Sequence, residues 1–197
     1  MRALFTLTLL GALAALFLRP LFHAPAVRAG TALRMDIPEL VDGAELVVEG
    51  RVLSAEAVET DAGLIETLYQ VGVDRTFVGS DAYNRVVRLP GGVLADGRGM
   101  LLAGMPMLRV GEDALLFLSG PGERGVRVPI GLAQGRYRIV TRLDGSKLAV
   151  RDQADLGLVD PRTGVLTHAD GQHVRDYAEL IGEVEAAVAA KSAGAPK

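Results

Sequence analysis

The chain has 197 residues, with 21 basic and 24 acidic side chains and neither cysteine nor tryptophan. Without thiols there is no disulfide scaffold, no thiolate metal site and no dithiol redox chemistry. Beyond Ala29, 18 basic residues face 24 acidic ones, a net charge of −6, which lacks the basic footprint of a nucleic-acid binder.

Met1–Ala29 reads as an export signal. Arg2 supplies the positive start, and Ala3–Leu18 is apolar apart from Thr6, Thr8 and Gly11. Val27-Arg28-Ala29, or Ala24-Pro25-Ala26, offers the small-residue pattern at which a signal peptidase cuts. The alternative is a retained N-terminal anchor. A spanning helix needs about 20 apolar residues, and Arg19-Pro20 ends the run early, so cleavage is the expectation. The protein is then periplasmic or extracellular, and it meets a membrane only if that segment stays. A mature chain of about 168 residues suits one domain and can bury a core without staples.

Asp36–Val41 predicts a short helix, capped by Asp36, with Pro38 in its first turn and Gly43 at its end. Leu46–Leu53 predicts a strand with Leu46, Val48 and Val52 on one face and a bend at Gly50. Asp61-Ala62-Gly63 makes a turn into Ile65–Val73. There Ile65, Thr67, Tyr69, Val71 and Val73 alternate with polar neighbours. Arg85–Leu89 is a third strand, stopped by Pro90-Gly91-Gly92. Val93–Val110, rich in Gly and Met, reads as a long connection with one irregular strand. Ala114–Leu118 is apolar throughout, as in a strand buried on both sides.

Arg136–Arg142 and Lys147–Arg151 pair across Leu143-Asp144-Gly145-Ser146, whose Asp-Gly suits a tight hairpin. A polar stretch follows. A helix is expected from Asp170 or Gly171 to about Ala190, with Val174, Tyr177, Ala178, Ile181, Val184 and Val188 along one face.

These elements predict a mainly β fold: a small antiparallel β-barrel of OB type, with a short N-terminal helix and a C-terminal amphipathic helix. The expected division is 1–29 signal peptide, 30–152 barrel, 153–190 loop and helix packed on the barrel, and 191–197 loose tail. An open β-sandwich is the next choice. Closure removes the free strand edges that invite aggregation.

Asp36-Ile37-Pro38-Glu39-Leu40-Val41 followed by Ala44-Glu45-Leu46-Val47-Val48-Glu49-Gly50-Arg51-Val52 resembles the opening of many exported bacterial proteins of unknown function. In those, a short helix precedes a strand with a glycine near its centre. Arg75–Gly79, Pro90–Gly92, Gly104-Met105-Pro106, Gly111–Leu118 and Gly131–Arg138 fit the same arrangement, so the resemblance covers about Asp36 to Val150. More distantly, the layout is similar to the netrin-like domain of tissue inhibitors of metalloproteinases. That resemblance implies an OB-like barrel. It does not carry the inhibitory chemistry, which uses an N-terminal cysteine and disulfides that this chain lacks.

His168, Asp170 and His173 are the only cluster of candidate metal ligands, and their spacing matches no closed zinc motif. The simpler reading is that Asp170 caps the helix and both histidines are solvated. Arg136 and Arg138, with Lys147 and Arg151 across the hairpin, could share one outward face and meet an anionic glycan, a lipid headgroup or an acidic protein. The bland alternative is a solvated face. Met100, Met105 and Met107 fit either a soft binding surface or the filling of the barrel mouth. Glu66, Asp74 and Glu112 are carboxylates that could pair in space, with nothing in the sequence to choose among them. There is no Gly-x-Ser-x-Gly, no phosphate-binding glycine loop and no pattern that calls for a cofactor.

The sequence therefore points to an exported, non-enzymatic binding or structural module whose partner is an envelope or secreted protein. The contact surface is expected on Val93–Val110, since loops on a rigid scaffold carry binding. A protease-associated inhibitor or accessory domain is the second reading, and a hydrolase using carboxylates is the third.

Overall fold

The computed structural model describes residues 30–168 and 171–194. The expected signal segment, Asp170 of the histidine cluster and the last three residues of the tail lie outside the described residues.

Asp36 opens helix α1 (Ile37–Gly43) by accepting from the Glu39 backbone N–H at 2.9 Å, while the Glu39 carboxylate accepts from the Asp36 N–H at 2.8 Å. This reciprocal cap satisfies two donors that the first turn leaves without helical partners. Ile37, Leu40 and Val41 are buried beneath it. The chain then enters β2 (Leu46–Glu59), which turns back into β3 (Ile65–Val78) and on to β4 (Asn84–Pro90). After the long connection come β7 (Asp113–Leu118), β8 (Arg136–Thr141) and β9 (Lys147–Asp152). The connection itself holds only a two-residue ladder, β5 (Gly92–Val93) with β6 (Gly99–Met100).

With β12 (Gln172–Asp176), these strands form a seven-stranded antiparallel sheet in the order β12-β9-β8-β7-β2-β3-β4. The fold is mainly β, with one large antiparallel sheet and a C-terminal helix. Among the described residues no hydrogen-bonded ladder joins β4 to β12 or to β8, so the strands do not close into a barrel.

Both faces of the sheet are apolar at its centre. Leu115 and Phe117 of β7 point to a layer made by α1 and helix α2 (Tyr177–Gly194), where Leu40, Val41, Leu180 and Val184 meet them. Ala114, Leu116 and Leu118 point the other way, into a second cluster with Val48, Val71, Val87 and Leu89. The expected face of Leu46, Val48 and Val52 lies in that second cluster. The expected bend at Gly50 is also there: the β2–β3 register shifts between Glu49 and Gly50. A Cβ on Gly50 would sit 2.2 Å from the Gly72 carbonyl oxygen, so only glycine allows this approach. At the β8–β9 turn, Gly145 adopts φ 85°, and the Asp144 side chain accepts from the Ser146 N–H at 2.9 Å.

Two expectations fail in the C-terminal part. The segment expected as loop carries β10 (Leu156–Val159) and β11 (Leu166–His168), which join β1 (Gly30–Leu33) in a separate three-stranded sheet. Buried Gln134 ties this sheet to the body, donating to the Leu33 carbonyl at 2.7 Å and accepting from the Met35 N–H at 2.9 Å. The predicted helix start is also wrong. Residues 172–176 form β12 against β9, and the helix begins only at Tyr177, after Asp176 accepts from the N–H groups of Ala178 and Glu179. Val174 therefore belongs to a strand, because ladder bonds to β9 outweigh its helical spacing.

The helix also runs past its expected end, to Gly194. Lys191 explains why: its Nζ donates to the carbonyls of Val41, Asp42 and Ala44, each at 2.8 Å. One ammonium thus satisfies the exposed end of α1 and pins α2 across it. Lys191→Met keeps the aliphatic stem and removes all three bonds. It is expected to lower the unfolding free energy in urea by about 1–3 kcal/mol, whereas Ser192→Ala, on the next turn position, should change it little.

Candidate functional site

A cleft of about 600 Å³ opens on the face of the sheet away from the helices. Its sheet wall comes from β8 and β9, where Arg138 stands opposite Val150. Its opposite wall is the end of β4 and the long connection, including Met100, Met105 and Met107. Gln153, Ala154 and Leu156 close one end. This is the size of pocket that holds small organic ligands, which generally fill about 300–1,000 Å³. The three methionines line this cleft, so they do not fill the mouth of a closed barrel. They sit beside an open space and not inside a sealed barrel.

Arg136 is the central charge of this cleft, and it is buried. Its Nη2 donates to both carboxylate oxygens of Glu112, at 2.7 and 2.6 Å. Glu112 is itself held by backbone: its carbonyl accepts from the Val52 N–H at 2.9 Å, beside the bulged part of β2. A charge pair this deep is stable only while both partners remain, since each alone would be a desolvated ion. Glu112 uses only Nη2, and the buried Nε finds no acceptor among the described residues. Gln153, 5% exposed, lines the same cleft, and its Nε2 likewise lacks an acceptor among the described residues. Arg138 and the exposed Arg109 add two cations, and Asp152 and Asp155 lie among the lining residues.

The four basic residues expected on one outward face do not share it. Arg136 and Arg138 line the cleft. Thr141 pairs with Lys147 and Ile139 with Ala149, so Lys147 and Arg151 follow Tyr137 to the opposite, helix-covered face. Arg151 lies over the Tyr137 ring at 5.1 Å, and Lys147 over the Tyr177 ring at 5.1 Å. Burial lowers the Arg151 pKa below its ordinary value. The alternation of a strand separates these residues, two to each face of the sheet.

His168 lies on β11 of the small sheet, whereas His173 lies on β12 of the large one. No group of three metal-ligating residues occurs among the described residues. Burial lowers the His173 pKa, and the neighbouring Arg151 and Arg175 lower it further. Two guanidinium charges are poor company for a metal cation.

The three carboxylates singled out by sequence lie apart and do not pair with one another. Glu66 is buried between two arginines, accepting from Arg124 at 2.6 Å and Arg88 at 3.0 Å. Burial by itself raises its pKa; the two arginine hydrogen bonds outweigh that and hold it below the ordinary carboxylate value. Glu112 belongs to Arg136. Asp74 is exposed and lines a second cavity of about 530 Å³ with Glu49, Arg51 and Asp113. In that cavity both Glu49 oxygens accept from the Tyr177 hydroxyl at 2.9 Å. Burial, then the Glu49 bond, pushes Tyr177 up to about 12. The Glu112–Arg136 pair, Arg109 and Gln153 were not singled out by sequence. A buried pair between Arg136 on β8 and Glu112, the residue leading into β7, leaves no local signal.

No family model matches this chain, and a search of the curated proteins finds no match. Neither comparison, nor any arrangement among the described residues, indicates an enzyme.

Two outcomes follow from these charges. Arg136→Met strands Glu112 in the interior and is expected to cost about 3–5 kcal/mol of stability in urea. Adding Glu112→Leu should restore most of that loss, because an apolar pair needs no counter-charge. For Glu66, a folded pKa below the unfolded value means its contribution is full above the ordinary value of 4.5 and drains as pH falls through the lowered folded one. Glu66→Gln should therefore flatten the acid limb of a stability–pH curve below that point.

Proposed function

We propose that this protein is an exported, non-enzymatic binding module whose ligand seat is the cleft beneath Val93–Val110. Its location outside the cytoplasm rests on the sequence of Met1–Ala29. The binding reading rests on one observation above all: a buried arginine, held from behind by Glu112, lines an open cleft with methionines on its other wall. A cleft that joins a fixed charge to soft apolar side chains suits recognition of a ligand with both characters.

The sheet is best read as an OB-like barrel left open on one side. β2 pairs with both β3 and β7, as the first strand of such a barrel does. The closing seam falls between β4 and β8, and the cleft is lined from both of those strands. The connection crosses this seam where hydrogen bonds would otherwise seal it. Ligands of OB folds lie against the sheet and its loops, and the open seam offers both.

The chain has no cysteine, so a single introduced thiol can report on the cleft. Met107→Cys, at a half-exposed lining position, is labelled with an environment-sensitive fluorophore and titrated with fractions of an envelope extract. A fraction should change the emission, and unlabelled wild-type protein should compete. Ala154→Trp, which fills the cleft from an exposed position, should not. Equal competition by Ala154→Trp would rule the cleft out as the seat.

A further inference from the structure

We infer that the cleft accepts a small monocarboxylate with an apolar body, and that Arg136, Arg138 and Gln153 receive its acid group. This deepens the binding-module reading and rests on it. Arg136 and Gln153 are each more than nine-tenths buried, both line the cleft, and each keeps an N–H with no acceptor among the described residues. Buried donors without acceptors are costly, and a partner that supplies oxygen lone pairs recovers that cost. Two buried donors lack acceptors on the cleft wall, while no buried side-chain acceptor there lacks a donor among the described residues, and this selects a ligand rich in acceptors.

Charge narrows the choice. Arg109, Arg136 and Arg138 line the cleft, and Glu112, which holds Arg136, together with Asp152 and Asp155 balances them. With this near-neutral wall, one negative charge placed against Arg136 and Arg138 is favourable. A phosphate dianion would bring a second charge towards two aspartates and gains little. A carboxylate also matches the planar edge of a guanidinium. The remainder of the ligand faces Met100, Met105 and Met107, with exposed Leu101 and Leu102 at the rim. These flexible side chains mould to alkyl groups without demanding one shape. Such a body is present on a fatty acid and on the C-terminus of an apolar peptide, which share this chemistry.

The Met107→Cys reporter tests the inference with defined compounds: decanoate, decanol, decyl phosphate, and N-acetyl-tri-leucine with a free or an amidated C-terminus. A carboxylate should bind about ten-fold more tightly than its neutral counterpart, the gain typical of one charge-assisted hydrogen bond. Decyl phosphate should bind more weakly than decanoate. Arg138→Ala, half-buried and outside the Glu112 pair, should weaken the carboxylate and leave decanol unchanged. Gln153→Leu should do the same, and if it fails to fold, Arg138→Ala decides alone. The fatty-acid and peptide arms tell the two sources apart. Equal binding of decanoate and decanol, or a carboxylate affinity indifferent to Arg138→Ala, overturns the inference while leaving the cleft as the seat. Failure of every carboxylate overturns it too. Loss of the cleft itself is signalled separately, by Ala154→Trp competing as well as the wild type.

Discussion

The fold hangs on the apolar strand Ala114–Leu118, which is buried on both sides. Leu115 and Phe117 face the helical layer, while Ala114, Leu116 and Leu118 face the curled strands β2 to β4. A strand with no polar face must be covered twice. The protein covers it with α1 and α2 on one side and with its own sheet, bent at Gly50, on the other. Glu112, immediately before this strand, then brings the Arg136 charge into the interior from the adjacent strand. The cleft is a product of that arrangement, because its central cation is oriented by a residue belonging to the entry of the best-buried strand.

The two sides of the molecule solve the problem of strand edges differently. At one end β12 covers β9. At the other, β4 is not sealed by a full ladder; Arg88 makes a single parallel bridge to Val126. The nearby Glu66, held by Arg88 and Arg124, reinforces the same place. Between that partial cover and β8, the connection passes over the opening with little regular structure of its own. The result is a regular sheet beside an irregular connection rich in methionine and leucine.

Local signals in the sequence were legible where the physics is local. The capping pair Asp36 and Glu39, the alternation from Ile65 to Val73, the Asp144-Gly145 turn and the uniform hydrophobicity of Ala114–Leu118 each predict the element that forms. Other features depend on distant partners and could not be read. Gln172–Asp176 is a strand only because β9 stands beside it, and Gly30–Leu33 only because Leu156–Val159 does. Arg136 looked like a surface residue until Glu112 was seen behind it. The stripe of Arg136, Arg138, Lys147 and Arg151 failed for a simpler reason: position parity along paired strands sends two of them to each side. The methionines stand out in the sequence, but what they face depends on where β8 and β9 lie.

The pairing of Val47 with Phe117 has a consequence for biosynthesis. The hairpin of β2 and β3 closes over a few residues and can form early, whereas β7 must find β2 across the whole β3–β6 region. Non-local pairing of this kind is slow, because chain-closure entropy is lost before contacts repay it. Until then the stretch from Ala114 to Leu118 is bare, uncharged and strongly prone to self-association. A nascent chain has no cysteine with which to trap partial structure covalently. Glu112 and Asp113, immediately ahead of that stretch, act as charged gatekeepers against its self-association.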